Sequence, residues 1–185
     1  MIVAFSTSSP VASVAVFDRE GRLVASERME APRNASGACL AMLERLFDIR
    51  APHSEVTGFA ADTGPGSFIG TRVGVTLAKT LAYGCGVGCY GMTSFDLIDC
   101  GSAVVVPNRK GEWFLRDPGS PPRLTSELPV GTRGYGHGIE PATFPDASRF
   151  QLPSAHSLRP EELLPTYLVE PSISQPKKPF AGAVE

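Results

Sequence analysis

Long apolar runs, histidine and net charge are what this sequence has least of, and each shortage removes a class of function. No stretch of eighteen apolar residues occurs anywhere in the chain, so no membrane-spanning helix is expected. The N-terminal MIVAFSTSSP has no basic residue ahead of its short apolar run and does not read as a secretory signal. Seventeen Lys and Arg against nineteen Asp and Glu leave a net charge of −2. A surface that grips nucleic acid throughout needs a concentrated basic face, so that role is not expected of the whole chain. His53, His137 and His156 are the only histidines and form neither H-E-x-x-H nor H-x-x-x-H, which removes the usual zinc-hydrolase signature. Among the four cysteines, Cys85 and Cys89 enclose three residues in CGVGC rather than the two of a zinc knuckle. All four (Cys39, Cys85, Cys89, Cys100) are expected as small buried thiols, reduced in a cytoplasm.

What is present is an ordinary globular composition, 42% hydrophobic and 19% charged, in 185 residues. That is enough for one domain with a real core, or one domain with a small appendage. The first thirty residues read as a strand meander: Ile2 to Phe5, Val11 to Phe17 and, after the DREG turn, Arg22 to Met29. The period then changes. Cys39, Met42, Leu43, Leu46 and Phe47 fall at i, i+3, i+4, i+7 and i+8 with Glu44, Arg45 and Asp48 opposite, which predicts an amphipathic helix from Ser36 to Ile49. Asn34 or Ser36 is its candidate cap, and Pro52 lies past its end. Short strands come next at Val56 to Ala61 and Val87 to Tyr90, with a short helix at Ser94 to Asp99. Strands alternating with helices after a meander predict a mixed sheet with helices packed on it.

The second half differs in kind. Thirteen of the seventeen prolines lie from Pro107 onward, which leaves little room for long helices or central strands. Ala103 to Val106 and Glu112 to Leu115 read as strands around a turn at Asn108 to Gly111, with loops and one or two short strands beyond. The closing PSISQPKKPFAGAVE reads as a flexible tail.

The sharpest signal is ADTGPGSFIGTRVGVTLAKTLA, from Ala61 to Ala82. A glycine turn entering a helix is the usual form of a phosphate cradle. Here, however, Ile69 stands where both the Walker loop and the dinucleotide fingerprint need glycine, and no lysine comes after it. Pro65 also removes one N–H donor. Gly66, Gly70, Gly74, Ala78 and Ala82 instead recur every fourth residue, one row on a helix side. Each interior glycine costs about 1 kcal/mol relative to alanine, a cost offset only where another backbone packs closely on the bare row. That packing is either internal, against the first helix or the sheet, or at a subunit interface. Val73 and Leu77 offer core contacts, while Arg72 and Lys79 can reach solvent or a partner.

DTGPGSFIGTRVGVTLAKTLAYG resembles the loop and helix of the TsaB (YeaZ) family, which serves the synthesis of N6-threonylcarbamoyladenosine (t6A) in tRNA. MIVAFSTSSPVASVAVFD resembles that family's opening hairpin and VVVPNRKGEWFLRD a later strand-turn-strand. GYGHG and LPTYLVE resemble, more weakly, its later turn and last strand. The resemblance implies an α/β, actin-like ATPase-domain (ASKHA) fold: an RNase H-like first lobe, a mixed sheet flanked by helices, at residues 1–100. A reduced second lobe would occupy residues 101–170 and a flexible tail residues 171–185, in a chain shorter than family members usually are. It also implies a non-catalytic scaffold that binds a TsaD-like catalytic subunit through its first two helices. A TsaE-like ATPase joins that pair, a homodimer forms when the protein is alone, and tRNA is met only through the complex. This favours the interface reading, with Gly66, Gly70, Arg72, Gly74 and Ala78 facing the partner, and no catalytic, cofactor or metal residue.

One departure bears on this reading. The family's first strand usually ends in an aspartate before Thr-Ser, where this chain has Ser6. Serine cannot supply the charge that helps to position metal and phosphate in active relatives. The hydroxyls from Ser6 to Ser9 are expected to bond their own turn, and Asp62 to bond backbone N–H groups beside the glycine loop. The alternative function is an active enzyme of the same fold, a phosphotransferase or metallopeptidase. Direct RNA binding through Arg109-Lys110 and Trp113-Phe114 is a third class, although alternation in a strand explains those aromatics as one covered face.

Overall fold

The computed structural model describes residues 1–31, 34–46, 56–108, 111–152 and 157–169. Phe47 to Ile49, Pro52, His53, Arg109, Lys110, His156 and the expected tail lie outside them. Strands β1 (Ile2–Ser6), β2 (Val11–Phe17) and β3 (Leu23–Glu30) form the expected antiparallel meander. Helix α1 (Ala35–Leu46) comes next, and Asn34 stands just ahead of it, its carbonyl oxygen accepting from the Ala38 N–H at 3.0 Å. Strand β4 (Gly58–Asp62) then pairs parallel with β1, helix α2 (Phe68–Cys85) crosses the sheet, and β5 (Gly88–Met92) pairs parallel with β4. The sheet order is β3-β2-β1-β4-β5.

Both faces of β1 are covered, which is why it reads as an unbroken apolar run rather than an alternating one. Val3 and Phe5 point to one side, where they pack with Met42 of α1 and Val75, Ala78 and Ala82 of α2. Ile2 and Ala4 point to the other, against Leu97, Ala147 and Phe150.

The second lobe is a small sheet in the order β8-β7-β6-β9. Its strands are β6 (Val104–Pro107), β7 (Trp113–Arg116), β8 (Arg123–Thr125) and β9 (Arg133–Gly134). Helix α3 (Ser94–Ile98) joins the lobes: Leu97 packs into the first, while Phe95 and Ile98 pack with Val104, Val106 and Phe114 of the second. The Arg116 guanidinium pairs with Asp96 of the same helix and donates to the Asp99 carbonyl at 3.0 Å.

After β9 the chain returns. A 3-10 turn at Ala147–Arg149 lies under the first sheet, with the Ala147 N–H on the Ser13 hydroxyl at 2.8 Å. Further on, Leu158 makes a two-way backbone bridge to Cys89, and Leu163 enters the core between the first sheet and its helices. The expected second lobe is therefore divided: residues 104–134 hold its sheet, whereas Ala147, Phe150 and Leu163, all beyond that sheet, pack on the first lobe.

Leu163 is 1% exposed and sits in the first-lobe core, so Leu163→Ala should cost about 2–5 kcal/mol. Urea denaturation of both chains measures this, and a loss below about 1 kcal/mol would mean that the returning segment does not complete that core.

Candidate functional site

The loop from Asp62 to Ser67, the turn from Ser6 to Ser9 and the first turns of α2 come together where β1 and β4 end side by side. Asp62 is fully buried. Ser6 Oγ lies 2.7 Å and Ser8 Oγ 2.5 Å from its Oδ2, and Ser94 Oγ lies 2.6 Å from its Oδ1. The Gly64 N–H donates to Oδ1 at 2.9 Å, as expected of Asp62. The turn hydroxyls do otherwise than expected. Only Ser9 bonds its own turn, at Val11. Ser6 and Ser8 reach Asp62, and Thr7 donates to the Gly70 carbonyl at 2.7 Å. Across a gap of more than fifty residues, only the folded chain reveals these partners.

Ser8 and Ser94 are also 2.9 Å apart. The three hydroxyls and the Gly64 N–H thus form one buried network around the carboxyl. Burial pushes the Asp62 carboxyl up, against the lowering pull of Ser8, Ser94, Ser6 and the Gly64 N–H. Tyr135 comes from the second lobe, its hydroxyl donating to the Ser8 carbonyl at 3.2 Å. Burial first, and the neighbouring Asp62 second, push that phenol up.

The glycine row turns inward. Gly70, Gly74, Ala78 and Ala82 are all buried. A Cβ at Gly70 would overlap the Thr7 carbonyl oxygen, one at Gly66 the Ser8 carbonyl oxygen, and one at Gly74 would stand 2.5 Å from Thr7 Oγ1. The close backbone neighbour is thus the chain's own β1–β2 turn, and Gly66 lies ahead of the helix rather than on it. The expectation that Gly66, Gly70, Gly74 and Ala78 face a partner gives way to internal packing. Of the five expected interface residues, Arg72 is on the open face.

Three N–H groups of the glycine loop and the first turn of α2 are taken up within the chain. The Gly64 N–H goes to Asp62, the Ser67 N–H to the Ser8 carbonyl at 2.6 Å, and the Gly70 N–H to the Ser67 hydroxyl at 3.1 Å. Among the described residues, no group of three or more His, Cys, Asp and Glu side chains converges on a point. Cys39 and Cys89 are buried, Cys85 half-buried and Cys100 exposed, so the thiols are not all buried as expected. Burial pushes the Cys39 thiol up to about 12. Trp113 and Phe114 are both buried, on opposite sides of the second sheet, which corrects the single covered face expected for them. His137 is exposed.

Beside this knot lies a cleft of about 910 Å³ between the lobes. Phe68 and Tyr167 line it with ring centroids 5.4 Å apart, and Tyr135 and Phe144 with centroids 5.1 Å apart. Arg72 stacks over the Phe68 ring at 4.7 Å. Nothing in the sequence announced this cleft, because its walls come from five separate segments, within residues 8–10, 65–71, 107–108, 135–144 and 166–169.

This architecture has solved counterparts. A Pseudomonas aeruginosa protein described as uncharacterized, with similarity to the peptidase YEAZ, superposes with a TM-score of 0.71 at 20% identity, covering 91% of this chain and 99% of its own. YeaZ from the same organism superposes with a TM-score of 0.68 at 21% identity, covering 90% and 99%. The chain has the YeaZ fold. The resemblance read from the sequence is borne out at that level, and the actin-like, RNase H-like class with it. Against these two chains the expected shortening is not seen, since nearly all of each is matched. Residues 29–101 match the family model described as TsaD, tRNA N6-adenosine threonylcarbamoyltransferase. No curated protein matches the chain. Among the described residues, no helix is long and apolar enough to cross a membrane.

Two glycines of α2 should respond oppositely to alanine. Gly84→Ala meets no atom within 4 Å and should stabilise by up to about 1 kcal/mol through helix propensity. Gly70→Ala makes the same propensity gain but drives a methyl into the Thr7 carbonyl, so overpacking on the order of 3 kcal/mol should win. Thermal melts of the pair decide it; a Gly70→Ala chain as stable as the parent would place the row elsewhere.

The raised Asp62 pKa fixes a sign. The folded chain holds its proton more tightly than the unfolded chain, whose carboxyl titrates near the ordinary 3.8. That contribution to stability is complete below the unfolded value and is lost as pH rises through the folded one, by up to about 1.4 kcal/mol per pH unit. Asp62→Asn keeps the shape and cannot titrate. Its unfolding free energy between about pH 4 and pH 8 should fall less with rising pH than that of the parent, and parallel curves would sink the assignment.

Proposed function

We propose that the chain is a non-catalytic scaffold subunit of the cytoplasmic apparatus that makes t6A in tRNA. It binds a TsaD-like catalytic subunit, a TsaE-like ATPase joins the pair, and it pairs with itself when alone. It meets tRNA only through that assembly.

The observation that carries this reading is the outer face of α2. With the small row turned inward, Ile69, Arg72, Thr76, Thr80 and Tyr83 form one exposed stripe along the helix. Ile69 is 74% and Tyr83 84% exposed. Aromatic, aliphatic and arginine side chains are the types that anchor protein interfaces. Leu40, on the adjoining helix α1, is also exposed. The match to the TsaD family model covers both helices, and like surfaces pair readily about a two-fold axis. The burial of the Asp62 carboxyl among Ser6, Ser8 and Ser94 supports a structural role for it.

Changing Ile69 and Tyr83 together to glutamate puts two charges on the stripe and should leave folding intact, since both are exposed. Copurification with a TsaD candidate from the same source should then be lost, with circular dichroism unchanged. If the folded double variant still copurifies like the parent, the stripe is not the interface.

A further inference from the structure

We propose that the cleft between the lobes binds a neutral, planar ring compound carrying no phosphate or other anionic group. Its volume of about 910 Å³ falls at the upper end of the roughly 300–1,000 Å³ typical of small-molecule sites. Its walls are aromatic on both sides: the Phe68–Tyr167 pair on the first lobe and the Tyr135–Phe144 pair contributed by the second. Phe68 and Tyr167 are 44% and 45% exposed, so ring faces and edges stand in water that a flat ligand would displace. Stacking on such rings favours flat molecules over branched aliphatic ones.

Charge selects further. No Asp, Glu, Lys or Arg side chain lines the cleft among the described residues; its polar side chains are neutral, Ser8, Ser67, Thr71, Asn108, Tyr135 and Thr166. An anion held there would lose its hydration with no cation among the described wall residues to replace it. At the start of α2 the N–H groups of Gly64, Ser67 and Gly70 already have partners within the chain. Arg72 packs over Phe68 and is not among the residues that line the cleft. What the cleft accepts is thus a ring compound with a few hydrogen-bonding groups, not a nucleotide.

Two fluorescent probes with the same ring system separate these cases. N-phenyl-1-naphthylamine is neutral, and 8-anilinonaphthalene-1-sulfonate adds one negative charge. Titrated into the full chain, the neutral probe should saturate at one per chain, and the sulfonate should bind at least about tenfold more weakly. Ala142 lines the cleft and is exposed, so Ala142→Trp should fill the cavity without touching a core. It and Phe68→Ala should each weaken the neutral probe by about fivefold or more, with circular dichroism unchanged. Equal or tighter binding of the sulfonate, displacement of the neutral probe by inorganic phosphate or a nucleoside triphosphate, or unaltered binding to the folded variants would overturn the proposal.

Discussion

The approach of the β1–β2 turn to the bare side of α2 is the contact on which the rest of this structure depends. The Thr7 and Ser8 carbonyls occupy the space where side chains at Gly70 and Gly66 would be. The Thr7 hydroxyl is bonded to the helix it touches. Two interior glycines weaken α2 by roughly 2 kcal/mol as an isolated helix, and the fold recovers that loss through close backbone packing. With the helix seated this deeply, β1 and β4 end side by side, and Asp62 is sealed behind the turn with Ser6, Ser8 and Ser94 as its partners. Tyr135 then closes the turn from the other lobe. Seating the small side inward also leaves the opposite stripe of α2 in solvent.

Much of the first lobe was legible because its periods are clean. Met42 in α1, the unbroken apolar runs of β1 and β2 and the alternation of β3 follow the patterns such elements require, and the strand boundaries fall within two residues of expectation. The row of small residues was equally legible as a row, but its direction was not. A glycine row marks a close approach and says nothing of whose backbone approaches, and here the neighbour lies some sixty residues earlier in the chain. The serines around Asp62 were misread for a related reason. Hydroxyl-rich turns commonly bond themselves, and only burial beneath α2 turns Ser6 and Ser8 toward a distant carboxyl.

The second half was legible only in outline. Its prolines correctly foretold short strands and long connections, whereas the return of the chain to the first lobe rests on isolated residues such as Ala147, Phe150 and Leu163. Single anchors leave no periodic trace, and neither does a cleft whose walls come from separate segments. The rings that line it look in the sequence like scattered core aromatics.

That return gives the second sheet the character of an excursion from the first lobe, leaving it after α3 and coming back at Ala147. During synthesis the first sheet and both of its helices emerge well before Leu163, the residue that closes the core over Cys89 and Val75. A growing chain therefore carries an open apolar flank along β5 until its last segments appear. Completion of the oldest part of the fold waits on nearly the youngest, so a chain cut short before this strap would lose core, not merely tail.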